Sequence, residues 1–174
     1  MVQRLRHHAR SHLGKVIGAG TPLAAYGGRR DLMAQLAPEG ACYQAGTLSG
    51  NPLAVAAGLA QLRLLRKPGT YARIAARLTA LITGLRDRAE QAGVAVQFAQ
   101  AGTMWGFFFG DRPVTDFASA AASDVETWKK VVQKLFDGGV YLAPSPFEAA
   151  FISAAHGPRE IAHTLRAASA AFGR

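Results

Sequence analysis

Cysteine is almost missing from this chain. Cys42 stands alone, so no disulfide can close within it, and a reducing cytoplasm is the expected setting. Acid is scarce too: 11 Asp and Glu face 20 Lys and Arg, for a formal net charge of +9. No apolar run is long enough to cross a bilayer, so no membrane span is expected. The start, MVQRLRHHARSH, is basic but has no apolar segment behind it, which excludes a secretory signal. No internal repeat occurs. Lysine supplies only five of the basic residues, so each lysine position carries information.

A basic chain can bind nucleic acid or anionic metabolites. Here, however, Arg63, Arg66, Arg73, Arg77, Arg86, Arg88, Arg159 and Arg166 are spread over predicted helices. That dispersal reads as solvated helix faces, and nucleic acid is not an expected partner.

What the chain does have is apolar mass: 49% of 174 residues, enough for the core of one ordinary domain or two small ones. Residues 13–30 read as a glycine-punctuated loop with short extended pieces. Residues 31–37 suit a short helix stopped by Pro38 and Gly40. Ser49 or Asn51 caps a helix that starts at Pro52 and runs to about Arg66, where Pro68-Gly69 closes it. Residues 70–92 repeat Ile74, Leu78, Leu81, Ile82, Leu85 and Ala89 at helical spacing, and Gly93 ends that helix. VAVQF (94–98) and GTMWGFFFG (102–110) read as strands. Residues 111–122 read as loop and 124–137 as helix, with Val125, Trp128, Val131, Val132 and Leu135 inward. VYLAP (140–144) reads as a strand, SPFEAAFISAAH as loop and short strand, and 158–172 as the closing helix. From residue 70 onward the order describes a small α/β unit. Residues 13–66 have little sheet of their own and suggest part of another domain.

Three stretches carry chemistry. In LGKVIGAGTP (13–22), Lys15 precedes closely spaced glycines. It is a solvated loop lysine or a nucleophilic amine, and lysine is the side chain that forms imines with pyridoxal phosphate. In AGTLSGNP (45–52), glycines, hydroxyls and a helix start lie together. Either the segment holds a phosphate with Thr47 and Ser49, or Ser49 or Asn51 merely caps the helix. In PSPFEAAF (144–151), Glu148 is a carboxylate in apolar company, exposed on a loop or specifically paired. His7, His8 and His12 have partial metal spacing but no acid or cysteine to complete a set, so no metal is expected. Arg29-Arg30 reads as surface charge and His156 as a structural histidine.

These three stretches, in this order, resemble the glutamate-1-semialdehyde 2,1-aminomutase family, a relative of the class III aminotransferases with the aspartate-aminotransferase (type I) fold. The resemblance covers residues 13–174. It implies an α/β fold in which 13–66 is a remnant of the large pyridoxal-phosphate domain, 67–174 is the small C-terminal α/β domain, and 1–12 is an extension foreign to the family. Lys15 matches the lysine that carries pyridoxal 5′-phosphate and moves protons. Gly46 and Thr47 match the pair that reaches the cofactor phosphate from the neighbouring subunit of a homodimer. Glu148 matches a glutamate near the active-site entrance. The implied reaction exchanges the amino and oxo groups of glutamate 1-semialdehyde to give 5-aminolevulinate for tetrapyrrole synthesis. A class III aminotransferase of other specificity, or a non-catalytic remnant that folds or dimerises, are the alternatives. Two departures stand out. The family carries three successive glycines where this chain has Gly18-Ala19-Gly20. It also carries a long region before the lysine, including the aspartate that pairs with the pyridine nitrogen; here fourteen residues precede Lys15 and none is acidic. The expectation is the C-terminal part of a longer enzyme, weakly active or inactive alone.

Overall fold

A computed structural model describes residues 10–173. The chain divides into two compact units, Met1–Lys67 and Pro68–Arg174.

The first unit opens with β1 (Arg10–Leu13), a single 3-10 turn (Lys15–Gly18) and β2 (Ala25–Gly28). β1 and β2 pair antiparallel, from Arg10 opposite Gly28 to Leu13 opposite Ala25. The helix expected over 31–37 is shorter than its sequence suggests. α1 spans only Arg30–Met33. Beyond it, the backbone turns back so that Ala37 N–H donates to Cys42 O at 2.9 Å and Cys42 N–H donates to Gln35 O at 2.8 Å. Gly40 permits this return, because a Cβ there would lie 2.2 Å from the Gln35 carbonyl. α2 (Pro52–Leu65) starts as its sequence predicts. Of the two candidate caps, Asn51 is used: its side chain accepts from Ala54 N–H at 3.2 Å, and Pro52 fills the first turn. Of the small residues of α2, Ala54 and Gly58 serve packing, while Ala56 and Ala60 are exposed. A Cβ on Gly58 would sit 2.3 Å from Leu23 Cδ2 and 2.9 Å from Ile17 O. The loop after Lys15 therefore lies directly on the helix, with Ile17 and Ala54 buried between them.

The second unit holds α3 (Thr70–Gln91), β3 (Val96–Ala101), β4 (Met104–Phe109), α4 (Phe117–Ala121), α5 (Val125–Asp137), β5 (Ala150–Phe151) and α6 (Pro158–Phe172). The sheet is antiparallel in the order β3-β4-β5. Gly102, at φ +65°, turns β3 into β4. One face of α3, Ile74, Leu78, Leu81, Ile82, Leu85 and Ala89, is entirely buried, as its spacing predicts. Alternate residues of β4 (Trp105, Phe107, Phe109) meet that face, together with Trp128, Val131 and Leu135 of α5 and Ala168, Ala171 and Phe172 of α6. Burying side chains of this size contributes about 1.5–3 kcal/mol each.

Two expectations fail in this unit. VYLAP is not a strand. Gly139, at φ +79°, closes α5 in a Schellman cap, with Gly139 N–H on Phe136 O at 2.9 Å and Val140 N–H on Leu135 O at 2.8 Å. That cap takes the N–H a ladder would need at Val140. The place beside β4 goes to Ala150–Phe151 instead, opposite Trp105 and Met104. The expected loop at 111–122 contains α4, nucleated by Asp116 and Ser119, which hydrogen-bond each other's backbone N–H groups. The spacing Asp116-x-x-Ser119 is the signal that the sequence reading passed over. No helix among the described residues is long and apolar enough to cross a membrane.

Candidate active site

Lys15 begins the 3-10 turn with φ +52°, a left-handed conformation uncommon outside glycine. Ala19 ends the turn at φ +50°, and Gly20 follows at φ +89°. The turn is held from inside. Thr21 donates to Gly18 O through its N–H at 2.9 Å and its hydroxyl at 2.5 Å, and Leu23 N–H donates to Thr21 O at 2.9 Å. It is held from outside by the seating of Ile17 and Leu23 against Gly58 of α2. The Lys15 side chain is left exposed. Ala19 carries a methyl group through a conformation that glycine adopts freely, which makes the departure from three glycines a local cost rather than a blockage.

Gly46 and Thr47 lie just before α2. Ser49 N–H donates to Gly46 O at 2.9 Å and Asn51 N–H to Leu48 O at 3.2 Å, forming a tight turn over Thr47–Gly50. A Cβ on Gly46 would stand 2.9 Å from Ser49 Oγ, so a larger residue there would require the serine side chain to turn away. Thr47 is exposed. Pro52 has no N–H, and Asn51 occupies that of Ala54. An anion at this point would therefore be met by the turn more than by the helix end itself. Lys15, Gly46 and Thr47 belong to one compact unit; the Lys15 turn rests on the side of α2 and the Thr47 turn leads into its start.

Glu148 belongs to the other unit. It sits in the turn after Pro144, with its N–H on Ser145 O at 3.2 Å, and its side chain is exposed. Neither Lys15 nor Glu148 forms a salt bridge among the described residues. The segment that follows is pinned by Arg77, which the sequence reading left as a solvated helix-face charge, and by His156, which it read as structural. Arg77 of α3 donates to Ala154 O at 3.0 Å and His156 O at 3.4 Å. His156 Nδ1 accepts from Ser153 N–H at 3.0 Å. The Ser153 hydroxyl lies 3.0 Å from the same nitrogen. His156 is thus a structural residue of this loop. Contacts 77 and 79 residues apart leave no local signal in sequence. His12 lies in β1 opposite Tyr26, while His7 and His8 fall outside the described residues. Arg29 pairs with Asp31, and its guanidinium holds that exposed carboxyl below the usual range.

The model of the class-III aminotransferase family matches residues 11–153. The chain is 51% identical over 160 residues to the glutamate-1-semialdehyde 2,1-aminomutase of Roseiflexus castenholzii, a match that covers 92% of this chain and 37% of that protein. The β-phenylalanine aminotransferase of Variovorax paradoxus superposes with a TM-score of 0.80 at 29% identity, over 93% of this chain and 37% of that one. A solved transaminase with PLP bound superposes with a TM-score of 0.76 at 26% identity, over 94% of this chain and 38% of that one. The chain therefore spans well under half the length of the proteins it matches. The family match takes in the Lys15 turn, the Thr47 turn and the Glu148 loop, and the chain belongs to the class-III aminotransferase family.

Proposed function

We propose that this chain carries the lysine-bearing part of a pyridoxal-phosphate-dependent glutamate-1-semialdehyde 2,1-aminomutase, with Lys15, Gly46, Thr47 and Glu148 as its site residues. The observation that carries the reading is Lys15 itself: a lysine held exposed in a left-handed turn that is braced on α2. Strain kept at a reactive residue by surrounding packing is the mark of a functional position. The identity to the Roseiflexus castenholzii aminomutase supports the choice of substrate, glutamate 1-semialdehyde.

The residues present fit the cofactor. An exposed amine and a glycine-containing turn with a free hydroxyl supply one group for its aldehyde end and one for its phosphate. When bound, pyridoxal phosphate supplies an aldehyde that captures amines and a ring that withdraws electrons from the substrate. Lys15 Nζ would hold the cofactor and, when free of it, would carry protons during transamination. Thr47 Oγ1 binds phosphate oxygen from the neighbouring subunit of a homodimer, and Gly46 keeps the approach open. Glu148 stands at the entrance and orients a substrate amine. The setting is the cytoplasm.

A second reading, a class III aminotransferase of other specificity, draws on the superposition with the β-phenylalanine aminotransferase. Product analysis with glutamate 1-semialdehyde separates the two. The first experiment is a spectrum of the chain with pyridoxal phosphate, then borohydride reduction and peptide mapping, with Lys15→Ala alongside. An adduct confined to Lys15 supports the site; scattered labelling of many lysines, with the other four labelled alike in Lys15→Ala, would refute it. Turnover by this chain alone is expected to be weak or absent.

A further inference from the structure

The second unit contains a cavity of about 420 Å³, of whose lining the reading above uses only Glu148. Its floor is core: Leu81 and Leu85 of α3, Leu135 of α5, Trp105 and Phe107 of β4. Six aromatic side chains line it, Phe98, Trp105, Phe107, Tyr141, Phe151 and Phe172. Tyr141 and Phe151 are largely exposed, so they stand at its mouth, where Trp105 and Phe107 lie deep. A volume of this size with an apolar lining and few polar groups is the usual form of a small-molecule site.

Its charge is lopsided. Glu148 is the only acidic residue lining it, and no lysine or arginine does. His156 also lines it, with its Nδ1 engaged by Ser153 N–H at 3.0 Å. Aromatic faces and one carboxylate together favour a cation and disfavour an anion. One wall, Val140–Pro144, is the segment expected to be a strand and found outside the sheet. It forms no part of a β-ladder, and its Val140 end is held by the cap of α5.

We propose that this cavity binds a hydrophobic amine: an apolar body of about ten carbons among the aromatic rings, with its ammonium group at Glu148. Glu148 takes a second role here, and the proposal stands apart from the aminomutase reading because its test needs no cofactor. The test follows tryptophan fluorescence of the whole chain, without pyridoxal phosphate, during titration with 1-adamantylamine, 1-adamantanol and 1-adamantanecarboxylate, three guests of one shape and different charge. Trp105 lines the cavity, so its signal reports occupancy; Trp105→Phe, read by calorimetry beside fluorescence, assigns it. The amine is expected to saturate below about 1 mM and to bind about fivefold tighter than the alcohol, with the carboxylate weakest. Glu148→Gln should bring amine and alcohol within twofold while leaving alcohol binding in place. Ala150→Leu, which narrows the cavity beside Trp105, should weaken all three, with thermal melts showing that the variant is folded. No saturable response to the amine, equal affinity for the three guests, or an amine preference that survives Glu148→Gln would each overturn the proposal. Labelling at Lys15 by pyridoxal phosphate is untouched by any of these outcomes.

Discussion

Lys15 at φ +52° and Ala19 at φ +50° place two side chains in the left-handed region within one short turn. Each costs about 1–2 kcal/mol relative to glycine, part of which glycine returns through its greater freedom in the unfolded chain. Ala19→Gly is therefore expected to stabilise the first unit by about 0.5–1 kcal/mol, read by urea denaturation. Lys15→Gly should stabilise by a similar amount and abolish borohydride trapping of pyridoxal phosphate. Lys15→Ala should abolish trapping without the gain in stability, because alanine keeps the strained backbone. Equal stability of the two Lys15 variants would show that the strain is not there. The lysine and its glycines were legible in the sequence as a candidate site. The left-handed backbone at a lysine was not, since no residue preference announces it.

At the scale of elements, α3 and α5 end in the same way. Gly93 at φ +66° closes α3 with Val94 N–H on Ala89 O at 2.8 Å, as Gly139 closes α5. Gly93→Ala and Gly139→Ala should each destabilise the second unit by about 1 kcal/mol, measured by thermal unfolding. Helix starts carry a pH signature. The Thr127 hydroxyl and N–H hold the exposed Asp124 carboxyl below its ordinary range, and the Ser119 N–H and hydroxyl do the same for Asp116. Their folded values lie under their unfolded ones, so this stabilisation is complete above about pH 4 and is lost as pH falls through the folded values. Asp124→Asn keeps an acceptor at the cap but no acid. Its urea midpoint should therefore fall less steeply than the wild type's between about pH 5 and pH 2.5. Equal slopes would remove Asp124 from the account. Helix ends were legible because caps are local. The third strand was not: VYLAP has strand composition, yet the cap of α5 claims Val140 and pairing falls to Ala150–Phe151.

At the scale of the whole molecule, the core cluster draws every member from residues 74–172. The segment 68–174 expressed by itself should fold cooperatively, with dispersed amide resonances and a single unfolding transition. In it, Leu78→Ala, at a site with 0% exposure, should cost about 2–5 kcal/mol. The first unit differs. Its large helix buries only Ala54 and Gly58, while Leu53, Leu59 and Leu64 are between 49% and 74% exposed. Residues 1–67 alone are expected to give poorly dispersed resonances, because so small a buried set cannot offset the entropy of ordering the chain.

The sequence by itself determined the amphipathic face of α3, the start of α2 at Pro52 and the glycine stops, and it marked three candidate stretches, because each is set by neighbours within a turn or two of chain. Tertiary structure alone decided which strand completes the sheet, that Lys15 is left-handed, that Arg77 and His156 pin the loop after Glu148, and that the apolar interior leaves a cavity under that loop. Those outcomes depend on groups brought together from distant parts of the chain, where packing and hydrogen-bond competition override local preference.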